Sequence, residues 1–175
     1  MTRTDPTPSV TDLDPSRLVA LIRDLDLPAY RASQILDAVW RSPASSWSEV
    51  TTFSRATQEA LASALRFSAC AESFRDDVED GATSKLLLAL ADGQSIEAVL
   101  MRSPADPRRG SGPRATICVS SQAGCTLDCA FCSTGKQGFN RNLSTAEIIG
   151  QLWLARRELG AKGATDRVIS NVVLM

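Results

Sequence analysis

Three cysteines near the middle of the chain lie in a pattern that can bind a metal. Cys125, Cys129 and Cys132 are separated by three residues and then by two, in the segment CTLDCAFC. Thiolates at this spacing in a loop can surround a single centre of soft metal ions. A 4Fe–4S cluster usually takes four cysteines, so three ligands would leave one iron open for a substrate. The spacing therefore predicts a reactive iron–sulfur cluster, because structural zinc needs four closed ligands.

Two other interpretations of these cysteines stay open at this point. Free cysteines also occur as small buried residues in protein cores. A zinc site would need a fourth ligand, and Cys118 is the nearest further cysteine. Cys118 lies in a predicted strand, seven residues before Cys125, whereas zinc ligands typically come in closely spaced pairs. Both interpretations are weaker than the iron–sulfur one.

The composition of the 175-residue chain limits other chemistry. It contains no histidine, which excludes Ser-His-Asp and Cys-His nucleophile systems and every zinc site with a histidine ligand. A hydrophobic content of 43% permits a real core, and a net charge of −1 excludes a globally basic nucleic-acid binder. Five cysteines are too few for a secreted disulfide scaffold, and neither a signal peptide nor a membrane span is recognisable. We therefore expect a reducing, cytoplasmic setting.

The elements that must position the cysteines predict a mixed α/β fold. Residues 1–11 are rich in Thr, Pro and Asp, which predicts a disordered tail. Residues 12–80 are predicted to form a helical domain, with its first helix capped at Asp14. Residues 81–113 are predicted to form a β-hairpin, turning at Asp92-Gly93, and a loop.

Residues 114–175 are predicted to form one strand–helix–strand unit. A strand precedes the cysteines, and the capping box of Ser144 and Glu147 predicts the start of a helix that ends at Gly160 or Gly163. A second apolar strand follows, and the two strands should be parallel. One such unit leaves sheet faces uncovered, and the chain stops within its last strand, so we expect a truncated sequence.

The residues around the cysteines resemble one family closely. The stretch 114–151, RATICVSSQAGCTLDCAFCSTGKQGFNRNLSTAEIIGQ, is similar to the RlmN branch of the RlmN/Cfr family of radical S-adenosylmethionine (SAM) RNA methyltransferases. Weaker likeness at residues 30–34 and 171–175 extends the resemblance over most of residues 28–175. It implies a helical accessory domain for the RNA substrate, followed by the start of a radical-SAM (β/α)6 partial barrel.

The resemblance also implies an activity, cofactors, partners and site residues. The family methylates an adenine of 23S rRNA, at C2 in RlmN, which often also acts on some tRNAs, and at C8 in Cfr. Cys125, Cys129 and Cys132 would hold a 4Fe–4S cluster that binds and cleaves SAM. Cys118 matches the cysteine that resolves the protein–RNA adduct through a disulfide, and Glu97 matches the family's catalytic acidic residue, which acts as a proton acceptor. The implied partners are 23S rRNA and tRNA as substrates and an electron donor such as flavodoxin or ferredoxin, with the protein a monomer.

Several of these residues also have ordinary structural interpretations. A glutamate on an apolar strand, such as Glu97, is often a charge that discourages aggregation. The structural interpretation of Cys118 is a small buried residue of a strand. Cys70 is interpreted as a helix-end or core residue. Phe139 is a candidate to pack near a base. Basic residues around the site are candidates for RNA phosphate contacts, with solvated loop charges as the default: Arg108, Arg109, Arg114, Lys136 and Arg141.

Three functions therefore compete. The first is an adenine-C2 methyltransferase of 23S rRNA and tRNA, of which this chain is an N-terminal fragment. The second is a Cfr-like adenine-C8 methyltransferase, and the third is a non-catalytic iron–sulfur or zinc module that recognises RNA. The family's SAM-contacting Gly-Glu-Pro motif and its methyl-carrying C-terminal cysteine are not among these 175 residues. We therefore expect the chain alone to be inactive.

Overall fold

The fold consists of a helical unit followed by a five-stranded sheet with one helix packed on it. This mixture confirms the α/β class predicted from the sequence. The computed structural model describes residues 7–41, 44, 46–108, 110, 112–127, 129–161 and 166–175.

The helical unit forms because apolar residues recur there at helical spacing. Its helices are α1 (Pro15–Asp24), α2 (Arg31–Trp40) and α3 (Arg55–Ala64). Asp14 caps α1 as predicted, since its side chain accepts a hydrogen bond from the Arg17 N–H group. The buried faces of the three helices share one apolar core. No helix in the described part of the chain is long and apolar enough to cross a membrane.

The prediction of a disordered tail over residues 1–11 is wrong from Ser9 onward. Ser9 and Val10 are almost completely buried, and Val10 packs in the core of the helical unit. The Val10 N–H group also donates to the Arg66 carbonyl oxygen at 2.8 Å. Burial and this backbone pairing order the segment from Ser9 onward. Residues 1–6 lie outside the described residues.

The sheet has five strands, in the order β1 (Ala71–Val78), β2 (Thr83–Ala89), β3 (Ser95–Ser103), β4 (Arg114–Val119) and β7 (Asn171–Leu174). Strands β2 and β3 form the predicted hairpin, and β4 pairs antiparallel with β3. Strand β7 runs parallel to β4, as predicted. The prediction of a helical domain over residues 12–80 is wrong for its last part, which forms a strand. Strand β1 is polar and mostly exposed, and it is a strand because it pairs with β2.

Helix α4 (Thr145–Glu158) connects β4 to β7 and packs on one face of the sheet. Its N-terminus has the predicted capping box, and Gly160, with φ +69°, follows its end. The alternative stop, Gly163, lies outside the described residues. Residues alternate along β2, β3 and β4 between buried positions facing α4 and half-buried or exposed positions on the opposite side. We call that opposite side the open face.

Candidate functional site

The three predicted cluster ligands lie in one loop, residues 125–138, which we call the cluster loop. A two-stranded ribbon closes it, formed by β5 (Gln122–Gly124) and β6 (Phe139–Asn142). The sequence analysis did not predict this ribbon, because its strands are only three and four residues long. Gly124 has φ +74°, and a Cβ atom there would lie 1.9 Å from the Gly138 carbonyl oxygen. Only glycine fits this close approach.

The cluster loop carries free, half-buried thiols. Backbone hydrogen bonds from Gly135 and Thr134 hold the pKa of the Cys132 thiol below its ordinary value. The Leu127 N–H group donates to Cys125 Sγ at 3.4 Å. Backbone N–H groups thus already point at two of the three sulfurs, as they do around the sulfurs of iron–sulfur clusters.

The three cysteines of the loop are not arranged around one metal position. Among the described residues, no three Cys, Asp or Glu side chains come close enough together to hold a metal ion. The donor chemistry nevertheless fits a 4Fe–4S cluster, since the loop offers three thiols, all free, and no fourth cysteine. The structure therefore brings the predicted ligands to one loop but does not bring their sulfur atoms together.

The two predicted catalytic residues lie on the open face. Cys118 on β4 pairs with Val99 on β3, and Glu97 lies two residues before Val99 on the same face. The Ser120 hydroxyl donates to the Glu97 carbonyl oxygen at 2.7 Å, which ties the start of β3 to the end of β4. The ribbon that closes the cluster loop follows this carboxyl end of β4, the end where parallel sheets bind ligands. Glu97 and Cys118 therefore lie near the carboxyl end of β4, and the three cysteines lie in the loop that follows β4 through the ribbon.

A lysine that the sequence analysis missed lies beside Glu97. The Lys85 ammonium is 2.8 Å from Glu97 Oε1, and its hydrogen bond to Glu97 raises the pKa of Lys85. Lys85 faces Val99 across the hairpin, so it is a diagonal neighbour of Glu97 on the open face. One signal was available: a lone lysine and a lone glutamate stand in the two apolar strands of one hairpin.

The basic residues named from the sequence separate into two groups. Arg141 is not a solvated loop charge, because it forms ion pairs with Asp92 and Glu147. Arg108, Arg114 and Lys136 are exposed, as the default interpretation predicts. Phe139 is 46% exposed, and Arg109 lies outside the described residues.

Cys70 is a core residue, as predicted. It is 4% exposed, and its thiol donates to the Glu147 carbonyl oxygen at 3.2 Å. Burial raises the pKa of this thiol to about 12. Cys70 therefore differs from the half-buried thiols of the cluster loop in its burial and in its reactivity.

Comparison with known proteins identifies the family, although no family model matches the chain. Over 160 residues the chain is 39% identical to the dual-specificity RNA methyltransferase RlmN of Marinobacter nauticus, covering 91% of this chain and 41% of that protein. It resembles the crystal structure of a radical SAM methyltransferase from Sphaerobacter thermophilus with a TM-score of 0.76 and 32% identity, covering 94% of this chain and 45% of that one. The chain thus spans less than half the length of these relatives. It belongs to an RlmN-like family of radical SAM methyltransferases, as its sequence predicted.

Proposed function

We propose that this chain supplies the cluster-binding part of a radical SAM enzyme that methylates C2 of an adenine in 23S rRNA and in some tRNAs. One observation carries the proposal. A loop with three free cysteines follows β4 through the β5–β6 ribbon, and Glu97 and Cys118 lie on the open face near the carboxyl end of the same strand. The name of the Marinobacter relative, a dual-specificity RNA methyltransferase, supports RNA methylation with dual specificity.

The cysteines of the cluster loop would hold the cofactor. Cys125, Cys129 and Cys132 would ligate three irons of a 4Fe–4S cluster and leave the fourth iron for SAM. When bound, the reduced cluster would supply the electron that cleaves SAM. The lowered pKa of Cys132 favours the thiolate form that ligation requires.

Glu97 and Cys118 would act on the RNA from the open face. The Glu97 carboxylate would accept a proton from the adenine ring, and Lys85 holds this carboxylate in place through its hydrogen bond. The Cys118 thiol is free and half-buried, so its thiolate would attack the sulfur atom that joins protein and RNA in the covalent adduct. The S–S bond would form as the C–S bond to the RNA breaks, and the electron pair of that bond would stay on the carbon, which takes up a proton. We propose a reducing cytoplasmic setting, with an electron donor such as flavodoxin or ferredoxin.

Anaerobic reconstitution of the chain tests the cofactor assignment. We expect about four irons and four sulfides per chain and an EPR signal after reduction that changes when SAM is added. Cys125→Ser, Cys129→Ser and Cys132→Ser should each lose most of the iron. Cys118→Ser is the matched control and should keep it, because Cys118 is not a proposed ligand. One zinc per chain without iron would contradict the proposal and favour a non-catalytic RNA-binding module.

Gene deletion tests the position of methylation. We expect that deleting the gene removes the methyl group from C2 of one 23S rRNA adenine, as seen by mass spectrometry, and that expressing the gene restores it. A methyl group at C8 would instead support the Cfr-like alternative.

A further inference from the structure

One arginine at the end of the cluster loop joins three separate segments of the chain. Arg141 lies on β6, and its Nε donates to Asp92 Oδ2, in the β2–β3 turn, at 2.7 Å. Its two terminal nitrogens donate to the two Glu147 carboxylate oxygens, both at 2.8 Å. Such a bidentate arginine–carboxylate pair fixes the orientation of the two side chains as well as the distance between them. Arg141 therefore ties β6 to the hairpin turn and to the first turn of α4.

Both acidic partners are held by other contacts. Glu147 is 9% exposed, and it also accepts a hydrogen bond from the Ser144 N–H group at 2.8 Å as part of the capping box. Asp92 accepts a hydrogen bond from the Gln94 N–H group within the hairpin turn. Burial alone would raise the pKa of Glu147. The hydrogen bonds that Glu147 accepts from Arg141 and Ser144 outweigh this effect and hold the pKa of the carboxyl below its ordinary value. Arg141 is thus anchored to two positions that are already fixed.

The ribbon carries this anchoring to both ends of the cluster loop. Arg141 pairs with Ala123 on β5, and Ala123 is completely buried against the sheet and α4. Cys125 follows β5 directly, and its N–H group donates to the Gly138 carbonyl oxygen just before β6. The ribbon therefore sets where the loop that holds the three thiols leaves the sheet and where it returns.

We propose that Arg141 is a positioning residue for the iron–sulfur cluster. Its double ion pair holds the ribbon on the sheet, so that the ends of the cluster loop are fixed and the thiolates of Cys125, Cys129 and Cys132 can reach one cluster. The proposal rests on the proposed function for its last step, the binding of the cluster. The ordering of the ribbon by Arg141 does not depend on that function.

Two measurements on the 175-residue chain test this. Hydrogen–deuterium exchange of the metal-free chain reports on the ribbon, β5 and β6, and iron analysis after anaerobic reconstitution reports on the cluster. Arg141→Met should speed ribbon exchange about tenfold, because it removes charge-assisted hydrogen bonds, and should at least halve the bound iron. Arg141→Lys should give intermediate values, since one ammonium cannot replace the guanidinium fork.

Arg55→Met is the matched control. Arg55 also pairs with a glutamate, at 3.0 Å, but its side chain is 91% exposed on the helical unit. This variant should leave both ribbon exchange and iron content unchanged. Should Arg141→Met prevent folding, Asp92→Asn removes only one of the two pairs, and we expect the same ribbon-selective rise in exchange.

The outcomes separate the two proposals. Unchanged ribbon exchange in Arg141→Met would overturn the role of Arg141, whatever the iron content. Faster ribbon exchange with full iron content would also overturn it as a positioning residue, because the cluster would then form without the anchor. A wild-type chain that binds no iron would instead contradict the proposed function, even if the exchange result held.

Discussion

The Lys85 ammonium lies 2.8 Å from the Glu97 carboxylate, on adjacent strands of one hairpin. Both side chains are about half exposed, at 54% and 43%, so this pair contributes little to the free energy of unfolding. The pair instead orients the carboxylate of Glu97, the proposed proton acceptor, on the open face. Cys118 lies on the same face, one strand further along the sheet.

We expect Glu97→Gln to lower the pKa of Lys85 toward the ordinary value of 10.5. The hydrogen bond to Glu97 raises the pKa of Lys85, so the pairing is complete below the ordinary value and is lost as the pH rises through the raised one. NMR titration of the lysine Cε resonances measures this directly. The unsubstituted chain, titrated in parallel, is the reference. An unchanged Lys85 titration would show that the pair does not form in solution.

Gly124→Ala should destabilise the ribbon more than Gly138→Ala. Both glycines have φ near +75°, where L-residues are strained, so alanine at either position costs roughly 1–3 kcal/mol through its backbone conformation alone. Only at Gly124 would the new Cβ atom meet backbone, at 1.9 Å from the Gly138 carbonyl oxygen, whereas Gly138 has open space. Hydrogen exchange of the ribbon and urea unfolding measure the difference. Equal effects of the two variants would contradict the close approach of β5 to the end of the loop.

Cys132 should be alkylated well before Cys70 at pH 8. The thiolate is the reactive form, and the pKa of Cys132 is lowered by backbone hydrogen bonds, whereas burial raises that of Cys70 to about 12. A time course with iodoacetamide, read by peptide mass spectrometry, gives the order. In urea the two rates should become similar, since unfolding removes both environments. Early alkylation of Cys70 in the folded chain would contradict its burial.

Gln151→Leu should lower the free energy of unfolding by about 1–3 kcal/mol. Gln151 is completely buried, and its side-chain amide pairs with both the N–H group and the carbonyl oxygen of Ser120, at 2.8 and 2.9 Å. Leucine would leave these backbone groups at the end of β4 without partners.

Urea unfolding followed by tryptophan fluorescence tests this prediction. Gln58→Leu is the control, because Gln58 donates only one partly buried hydrogen bond, to the Val50 carbonyl oxygen. Gln58→Leu should lower the free energy of unfolding by less than Gln151→Leu does. If the two variants lower it equally, the Ser120 backbone groups find other partners when Gln151 is replaced.

Local signals in the sequence predicted those parts of the fold that depend on neighbouring residues. The Asp14 cap, the hairpin turn at Asp92-Gly93 and the capping box of Ser144 and Glu147 each involve residues no more than three positions apart. Their hydrogen bonds form within one turn of the chain, so the residue types alone indicate them. Strand β1 had no such signal, because its residues are polar and its partner is β2.

The sequence by itself determined the candidate ligands, since the spacing of Cys125, Cys129 and Cys132 is a local property of one loop. Its apolar patterns also placed Glu97 and Cys118 on strands, and the likeness to a family implied their roles. Only the tertiary structure decided what surrounds these residues. The pairing of Arg141 with Asp92, 49 positions away, and that of Lys85 with Glu97 depend on strand register and on the packing of α4. Contacts of this kind form only when distant segments fold onto one sheet, and no local pattern of residues specifies them.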